Sequence, residues 1–312
     1  MPGRGPHPRF NLEQVFSMWS GIAAGLGAGA LWGFSFLAPR VLAGFAALDV
    51  SAARFIVYGL TALLMMAWRF APSRLPNWRH ALAALALSVI GFTGYYLLVV
   101  LSIRRLGVAL PTLIMGTVPI WVMLLGKPQS LRWAALLPGL ALTAAGLWLM
   151  GLHGAQSAAG GRLDASGLAL ACAGLASWTA FALLNAAWLK RHPDVSARDW
   201  ANWLGVATGL GGALMWLAAG TPAAQLAATP GLGVFLLMAV VIGFGASWLS
   251  MVLWNVASQR LPASLCGQLI VSETLFALAY DALWSQAWPG GMQLAAAALF
   301  ALGIVAAIRA HG

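Results

Sequence analysis

Trp32-Gly33-Phe34-Ser35-Phe36, followed by Asp49-Val50-Ser51-Ala52-Ala53-Arg54, returns later in the chain as Trp178-Thr179-Ala180-Phe181, followed by Asp194-Val195-Ser196-Ala197-Arg198. The offset is 145 to 146 residues. A second pair, Arg105-Leu106-Gly107-Val108-Ala109-Leu110 and Arg260-Leu261-Pro262-Ala263-Ser264-Leu265, recurs at an offset of 155. Chance similarity among Ala/Leu/Gly-rich segments is the competing explanation. The tetrapeptide Asp-Val-Ser-Ala at matching segment boundaries favours a true internal repeat.

Each copy is embedded in apolar sequence. The chain of 312 residues is 61% hydrophobic and 8% charged, against roughly 45–50% and 25% in soluble domains. An ordinary soluble enzyme is excluded. With about 20 apolar residues per crossing, the runs predict spans at 18–38, 51–70, 81–101, 107–126, 132–150, 166–188, 200–219, 232–257, 262–284 and 290–308. The expected layout is an N-terminal cytoplasmic segment 1–17, a five-helix repeat 18–150, a Gly/Ala/Ser-rich linker 151–165, a second repeat 166–308 and a tail 309–312. Five spans per copy is an odd number, so tandem copies enter the membrane in opposite senses. The predicted fold is therefore all-α, with ten transmembrane helices as two inverted five-helix repeats.

The charges orient this arrangement. Of 17 Lys and Arg, twelve (Arg4, Arg9, Arg69, Arg74, Arg79, Lys127, Arg132, Lys190, Arg191, Arg198, Arg260, Arg309) fall on one side, and Arg40, Arg54, Arg104, Arg105 and Arg162 on the other. The positive-inside rule puts both termini in the cytoplasm. The net charge of +10 is thus spread between spans rather than gathered on a face for nucleic acid. Trp19, Trp68, Trp78, Trp133, Trp148, Trp188, Trp200, Trp216, Trp284 and Trp288 lie near span ends, where indole favours the headgroup layer. Cys172 and Cys266 read as small core residues. No cleavable leader is read at the N-terminus, which points to a bacterial inner membrane.

Ten spans as five plus five, Trp32-Gly33 with Phe36, Arg54-Phe55 heading the second span and Pro119 in the fourth together resemble the drug/metabolite transporter superfamily, in its EamA-type branch. The resemblance implies an inner-membrane carrier, usually an exporter of small metabolites, working by alternating access around a central cavity. Tyr95, Trp178 and Trp254-Asn255-Val256 look like positions of the bacterial aromatic amino-acid exporters. Two departures stand out. Val118 replaces the aromatic before the fourth-span proline, and Glu273-Thr274 stands where the wider family has Glu-Pro, so the carboxylate is kept without the proline kink.

Intramembrane charge costs about 2.5–3.5 kcal/mol even on the insertion scale, so each such residue needs a reason. Glu273, halfway along the ninth span, either binds a substrate ammonium or a proton, or ties helices together. Asp281, two turns further out, is read as solvated or locally paired, and Arg54 as a snorkelling cation or a carboxylate partner. Trp32 and Phe36, four apart, share a face at the mouth of a cavity or pack in the core. Trp178, Trp248 and Trp254 lie away from the interfaces and need partners for their indole N–H groups. Of Tyr95 and Tyr96 at most one faces a pathway, and the resemblance favours Tyr95. Asn185 and Asn255 either bind a polar substrate end or hydrogen-bond between helices; Met115 joins the cavity candidates. Gly21, Gly25, Gly29 and Gly33 form a strip for close helix approach. Pro111, Gly116, Pro119, Gly243 and Gly245 are hinge candidates, or tolerated kinks.

The expected partners are membrane lipid, a small-molecule substrate (an amino acid or other metabolite) and protons if Glu273 titrates in transport; nucleic acid is not expected, and oligomeric state is open. No cofactor motif and no metal-ligand spacing occurs. An intramembrane enzyme is disfavoured, because His7, His80, His153, His192 and His311 all lie in predicted termini or loops. A channel would need rings of like residues. Drugs, other metabolites, nucleotide sugars and lipid-linked substrates remain as alternatives, the last two wanting more basic groups than Arg54 alone.

Overall fold

A computed structural model describes residues 12–68, 75–155 and 164–311. Helix α1 runs Leu12–Phe34 and continues through a 3-10 turn, Ser35–Leu37, into Ala38–Val41. It is followed by α2 (Ala47–Ala67), α3 (Trp78–Leu106), α4 (Ala109–Leu125) and α5 (Trp133–Ala155). The second series is α6 (Ala165–Arg191), α7 (Ala197–Ala219), α8 (Leu232–Arg260), α9 (Ala263–Ser285) and α10 (Gly291–His311). A short helix, Ala223–Ala228, lies between α7 and α8. No strand occurs among the described residues. Eight of these helices are long and apolar enough to cross a membrane. The other two are α4, a shorter apolar helix, and α7, which buries Asp199 and Asn202 in its first turns.

Helix pairing reproduces the repeat. α2 packs on α7, α5 on α10 and α4 on α9, while α1–α8 is matched by α6–α3 and α2–α8 by α7–α3. Exchanging each helix with the one five places on maps each of these pairs onto itself or onto another of them, as a pseudo-two-fold relation requires. The α2–α7 crossing has almost no side-chain padding: a Cβ added at Gly59 would lie 2.8 Å from the Gly209 Cα. Tyr58 locks it, its hydroxyl donating to the Ala201 carbonyl at 2.9 Å. At the other end of α2, Asp49 accepts from the Thr221 backbone amide at 2.9 Å and from its hydroxyl.

Both halves are interrupted at matching places. In α3 a π-helical turn spans Val89–Thr93, and in α8 another spans Phe244–Leu249. Helix α4 breaks at Thr117 and α9 at Val271. The α9 break corrects the expectation that losing the proline removes the kink. Val271 N–H bonds to Gln268 O at 3.2 Å and Thr274 N–H to Val271 O at 3.1 Å, so three-residue bonds tighten the chain without proline.

The glycine strip of α1 meets α9 and the end of α8. A Cβ at Gly21 would strike Leu261, at Gly25 Leu269, at Gly29 Ser272, and at Gly33 the Glu273 carbonyl. Other expectations are revised. α5 runs four residues past Gly151 into the expected linker, because its apolar pattern continues to Leu152. His80, His153 and His311 belong to helix ends rather than loops. Trp200 is not an interfacial anchor: it is fully buried and stacks on half-buried Trp188 at 3.6 Å, with His192 stacked on Trp188 in turn. Trp19, Trp68, Trp78, Trp133, Trp148, Trp284 and Trp288 are exposed, as belt residues are. Cys266 is buried but Cys172 is exposed on its helix face. Arg4, Arg9, Arg69, Arg74, Arg162 and His7 lie outside the described residues.

Candidate functional site

Three of the tryptophans singled out in the sequence converge from three helices of both halves. Trp32 of α1 lies 5.3 Å from Trp254 of α8 and 6.3 Å, edge-on, from Trp178 of α6. Trp178 and Trp254 are 6.5 Å apart, so the three indoles close a triangle. From Trp178 the contacts continue through Phe181 and Phe92 to Phe55, which reaches Tyr96 edge-on. The result is an aromatic wall threading α1, α8, α6, α3 and α2. The Trp254 indole N–H is buried with no hydrogen-bond partner, a cost that apolar packing leaves standing.

Polar groups gather beside this wall. Arg54 of α2, Tyr95 of α3 and Glu273 of α9 interact electrostatically with one another. All three are enclosed by the bundle yet keep part of their surface accessible. Arg54 does not snorkel outward. Its Nε donates to Ser247 Oγ at 2.7 Å and its Nη2 to the Ala246 carbonyl at 2.7 Å. The π turn makes that carbonyl available: Ser250 N–H bonds five residues back to Gly245 instead of to Ala246. In α3 the Gly94 N–H likewise bonds to Val89, and the released Ile90 carbonyl accepts from Ser177 Oγ of α6 at 2.6 Å. Each interruption is thus claimed by a side chain of the opposite half.

The remaining candidates divide by environment. Asn185 and Asn255 are fully buried and committed: Asn185 donates to Asn255 at 3.1 Å and accepts from the Trp200 indole at 2.7 Å, and Asn255 donates to the Ala197 carbonyl. Trp248 sits in the α8 π turn, stacked on Phe244, its N–H donating to Asn202 at 2.8 Å. Met115 is half-buried at the end of the first segment of α4, and a Cβ on Gly174 of α6 would lie 3.7 Å from its sulfur. Phe36 is 56% exposed while Trp32 is 8% exposed, so only Trp32 packs into the interior. Phe36 lies in the 3-10 turn Ser35–Leu37 that follows the α-helical part of α1. Tyr96 donates to the Ala47 carbonyl at 2.7 Å, leaving Tyr95 nearer Glu273. Asp281 pairs with Arg40 at the exposed end of α9. That pair borders a shallow cavity of about 250 Å³ lined also by Ser285, Trp288 and Gln293.

Among the hinge candidates, Pro111 is buried in the first segment of α4, and Gly116 and Pro119 flank its break at Thr117. Gly243 ends the first segment of α8 and lets the Val57 side chain and Arg54 carbonyl of α2 approach; Gly245 lies inside the π turn. Sequence reading left Arg54 open between a snorkelling cation and a carboxylate partner, met Phe55 only in the family resemblance, and did not single out the wall residues Phe92 and Phe181. Phe181 carried a usable signal, because it falls three after Trp178 and so on the same helix face. No cluster of three or more potential metal ligands occurs among the described residues.

The comparisons with known proteins agree with this architecture. Residues 19–152 match the EamA-like transporter family. The chain is 34% identical over 311 residues to "Inner membrane protein YtfF" of Escherichia coli strain K12, covering 94% of this chain and 96% of that protein. A crystal structure of a protein with 18% identity superposes with a TM-score of 0.71, covering 93% of this chain and 97% of that chain, which supports the fold. The chain belongs to the EamA-like transporter family of the drug/metabolite transporter superfamily. It is a multi-pass protein of the inner membrane.

Proposed function

We propose that the protein exports small amphipathic metabolites, aromatic and other neutral amino acids foremost, by alternating access between its two halves, with ten crossings and both termini in the cytoplasm. The observation that carries this reading is the aromatic wall around Trp32, Trp178 and Trp254, with Arg54, Tyr95 and Glu273 beside it. Indole and phenyl faces suit the apolar body of such a solute, and a few placed polar groups suit its head. Both halves contribute, so a rocking motion of one half against the other opens the site first to one side and then to the other. The paired interruptions in α3/α8 and α4/α9 are the places where helices can bend during that motion. No catalytic residues, cofactor or metal are assigned. Glu273 is the candidate for proton coupling, and lipid is the surrounding solvent.

The test is counterflow in proteoliposomes preloaded with unlabelled phenylalanine, threonine or methionine, following uptake of the labelled amino acid. Saturable uptake, reduced by Trp178→Ala, is expected; Glu273→Gln distinguishes proton-driven transport from simple exchange. Absence of uptake above protein-free vesicles for all three, with folded protein, removes the amino-acid reading in favour of other metabolites.

A further inference from the structure

We propose that Arg54 and Glu273 act together as a two-charge selector, accepting solutes that carry an anion and a cation on neighbouring atoms and rejecting the same side chain bearing only one of them. The inference rests on the transport reading above and assigns Arg54 a specificity-determining role.

The evidence is a pair of opposite charges kept apart. Arg54 and Glu273 attract one another inside the bundle, where Coulomb energy is several times larger than in water. Left free, such groups close into an ion pair. Among the described residues no nitrogen–oxygen contact of 4.0 Å or less joins them. Both sides of the separation are built. The Arg54 guanidinium is drawn toward α8 by Ser247 Oγ and by the Ala246 carbonyl that the π turn releases. On the other side the backbone that carries Glu273 is seated against α1, its carbonyl so close to Gly33 that no Cβ fits between, with Ser272 filling the same place over Gly29. Its carboxylate accepts no hydrogen bond from any described residue.

Each group therefore keeps unused capacity. A guanidinium has five N–H donors, of which Arg54 spends two on α8. Those remaining suit a carboxylate, the oxygens of Glu273 suit an ammonium, and Tyr95 adds a phenol within the same field. A free amino acid bridges the pair with both ends satisfied. A primary amine would leave Arg54 without its anion, and a carboxylic acid would place a second anion beside Glu273.

The experiment is phenylalanine counterflow by the full chain in proteoliposomes, with external phenethylamine or 3-phenylpropionate as competitor. For the wild type, neither analogue should compete at the concentration where unlabelled phenylalanine halves uptake. Arg54→Gln should raise half-saturation for phenylalanine about tenfold or more and make phenethylamine compete as well as phenylalanine does. Glu273→Gln should do the same for 3-phenylpropionate. These opposite changes of preference are a readout that general loosening of the bundle does not produce. Should Arg54→Gln fail to fold, Ser247→Ala keeps both charges but frees the guanidinium to close on Glu273, and a weakened phenylalanine response is expected.

Wild-type uptake of phenylalanine inhibited equally by either analogue overturns the selector while leaving the transport reading intact. Loss of uptake in both charge variants without any exchange of preference, in protein that melts like the wild type, also overturns it. No uptake by the wild type of phenylalanine, threonine or methionine overturns the amino-acid transport reading, and the selector with it.

Discussion

The π turns of α3 and α8 occupy the same place in the two repeats, yet they are finished with different chemistry. In α3 the released Ile90 carbonyl is capped by the neutral hydroxyl of Ser177; in α8 the released Ala246 carbonyl is capped by the Arg54 guanidinium. At the repeat offset of 145 residues the position matching Arg54 is Asp199, buried at the start of α7, so the second half places no arginine there. Symmetry survives where backbone must meet backbone, since both copies need the same crossings. It is lost where side chains border the interior. Only one half supplies a restrained cation there, and only the other supplies Glu273.

Substitutions at the shared crossing should have the largest effect and should not distinguish the halves. Gly59→Val and Gly209→Val each force a side chain into backbone at about the same depth. Overpacking of this kind costs about 1–3 kcal/mol, so both should lower the melting temperature of the detergent-purified protein by similar amounts. A large loss for one and none for the other would mean that the crossing is not shared equally.

The two carbonyl caps should differ sharply in transport. Arg54→Gln is expected to weaken phenylalanine counterflow about tenfold or more, while Ser177→Ala removes one interhelical hydrogen bond of about 0.6 kcal/mol in a membrane setting and should leave counterflow within about threefold. Equal losses would erase the contrast between a charged and a neutral finish. Thr274→Pro tests the other paired interruption. It removes the bond from Thr274 N–H to Val271 O in a helix already broken there, so the expected cost is about 1 kcal/mol, read as a small melting shift with transport retained. Phe36→Ala should have the smallest effect, with stability and counterflow unchanged, because more than half of this side chain is exposed.

Much of the fold is legible in the sequence alone. Long apolar runs and repeated Asp-Val-Ser-Ala segments demanded a membrane-embedded repeat, because neither composition nor spacing fits another solvent. The glycine strip of α1 likewise announced a close neighbour, since four glycines on one face have no other use in an apolar helix. The site was read less evenly. Trp32, Trp178 and Trp254 did converge, but Asn185 and Asn255 proved to be committed to each other, and periodicity cannot distinguish an amide that faces a neighbour from one that faces a substrate. Arg54 stayed open between the headgroups and a carboxylate partner, because a cation near a span end ordinarily reaches outward. Nothing in its own sequence neighbourhood says that a carbonyl 192 residues away has been released to hold it inward.

The sequence by itself therefore determined the solvent, the repeat and the family resemblance, each a property of many residues acting in the same direction. Tertiary structure alone decided where α9 breaks without a proline, which glycine strip meets which helix, and which charges face one another across the interior. Those outcomes depend on single hydrogen bonds and single close contacts between distant segments. Local pattern carries no information about such contacts until the helices are packed.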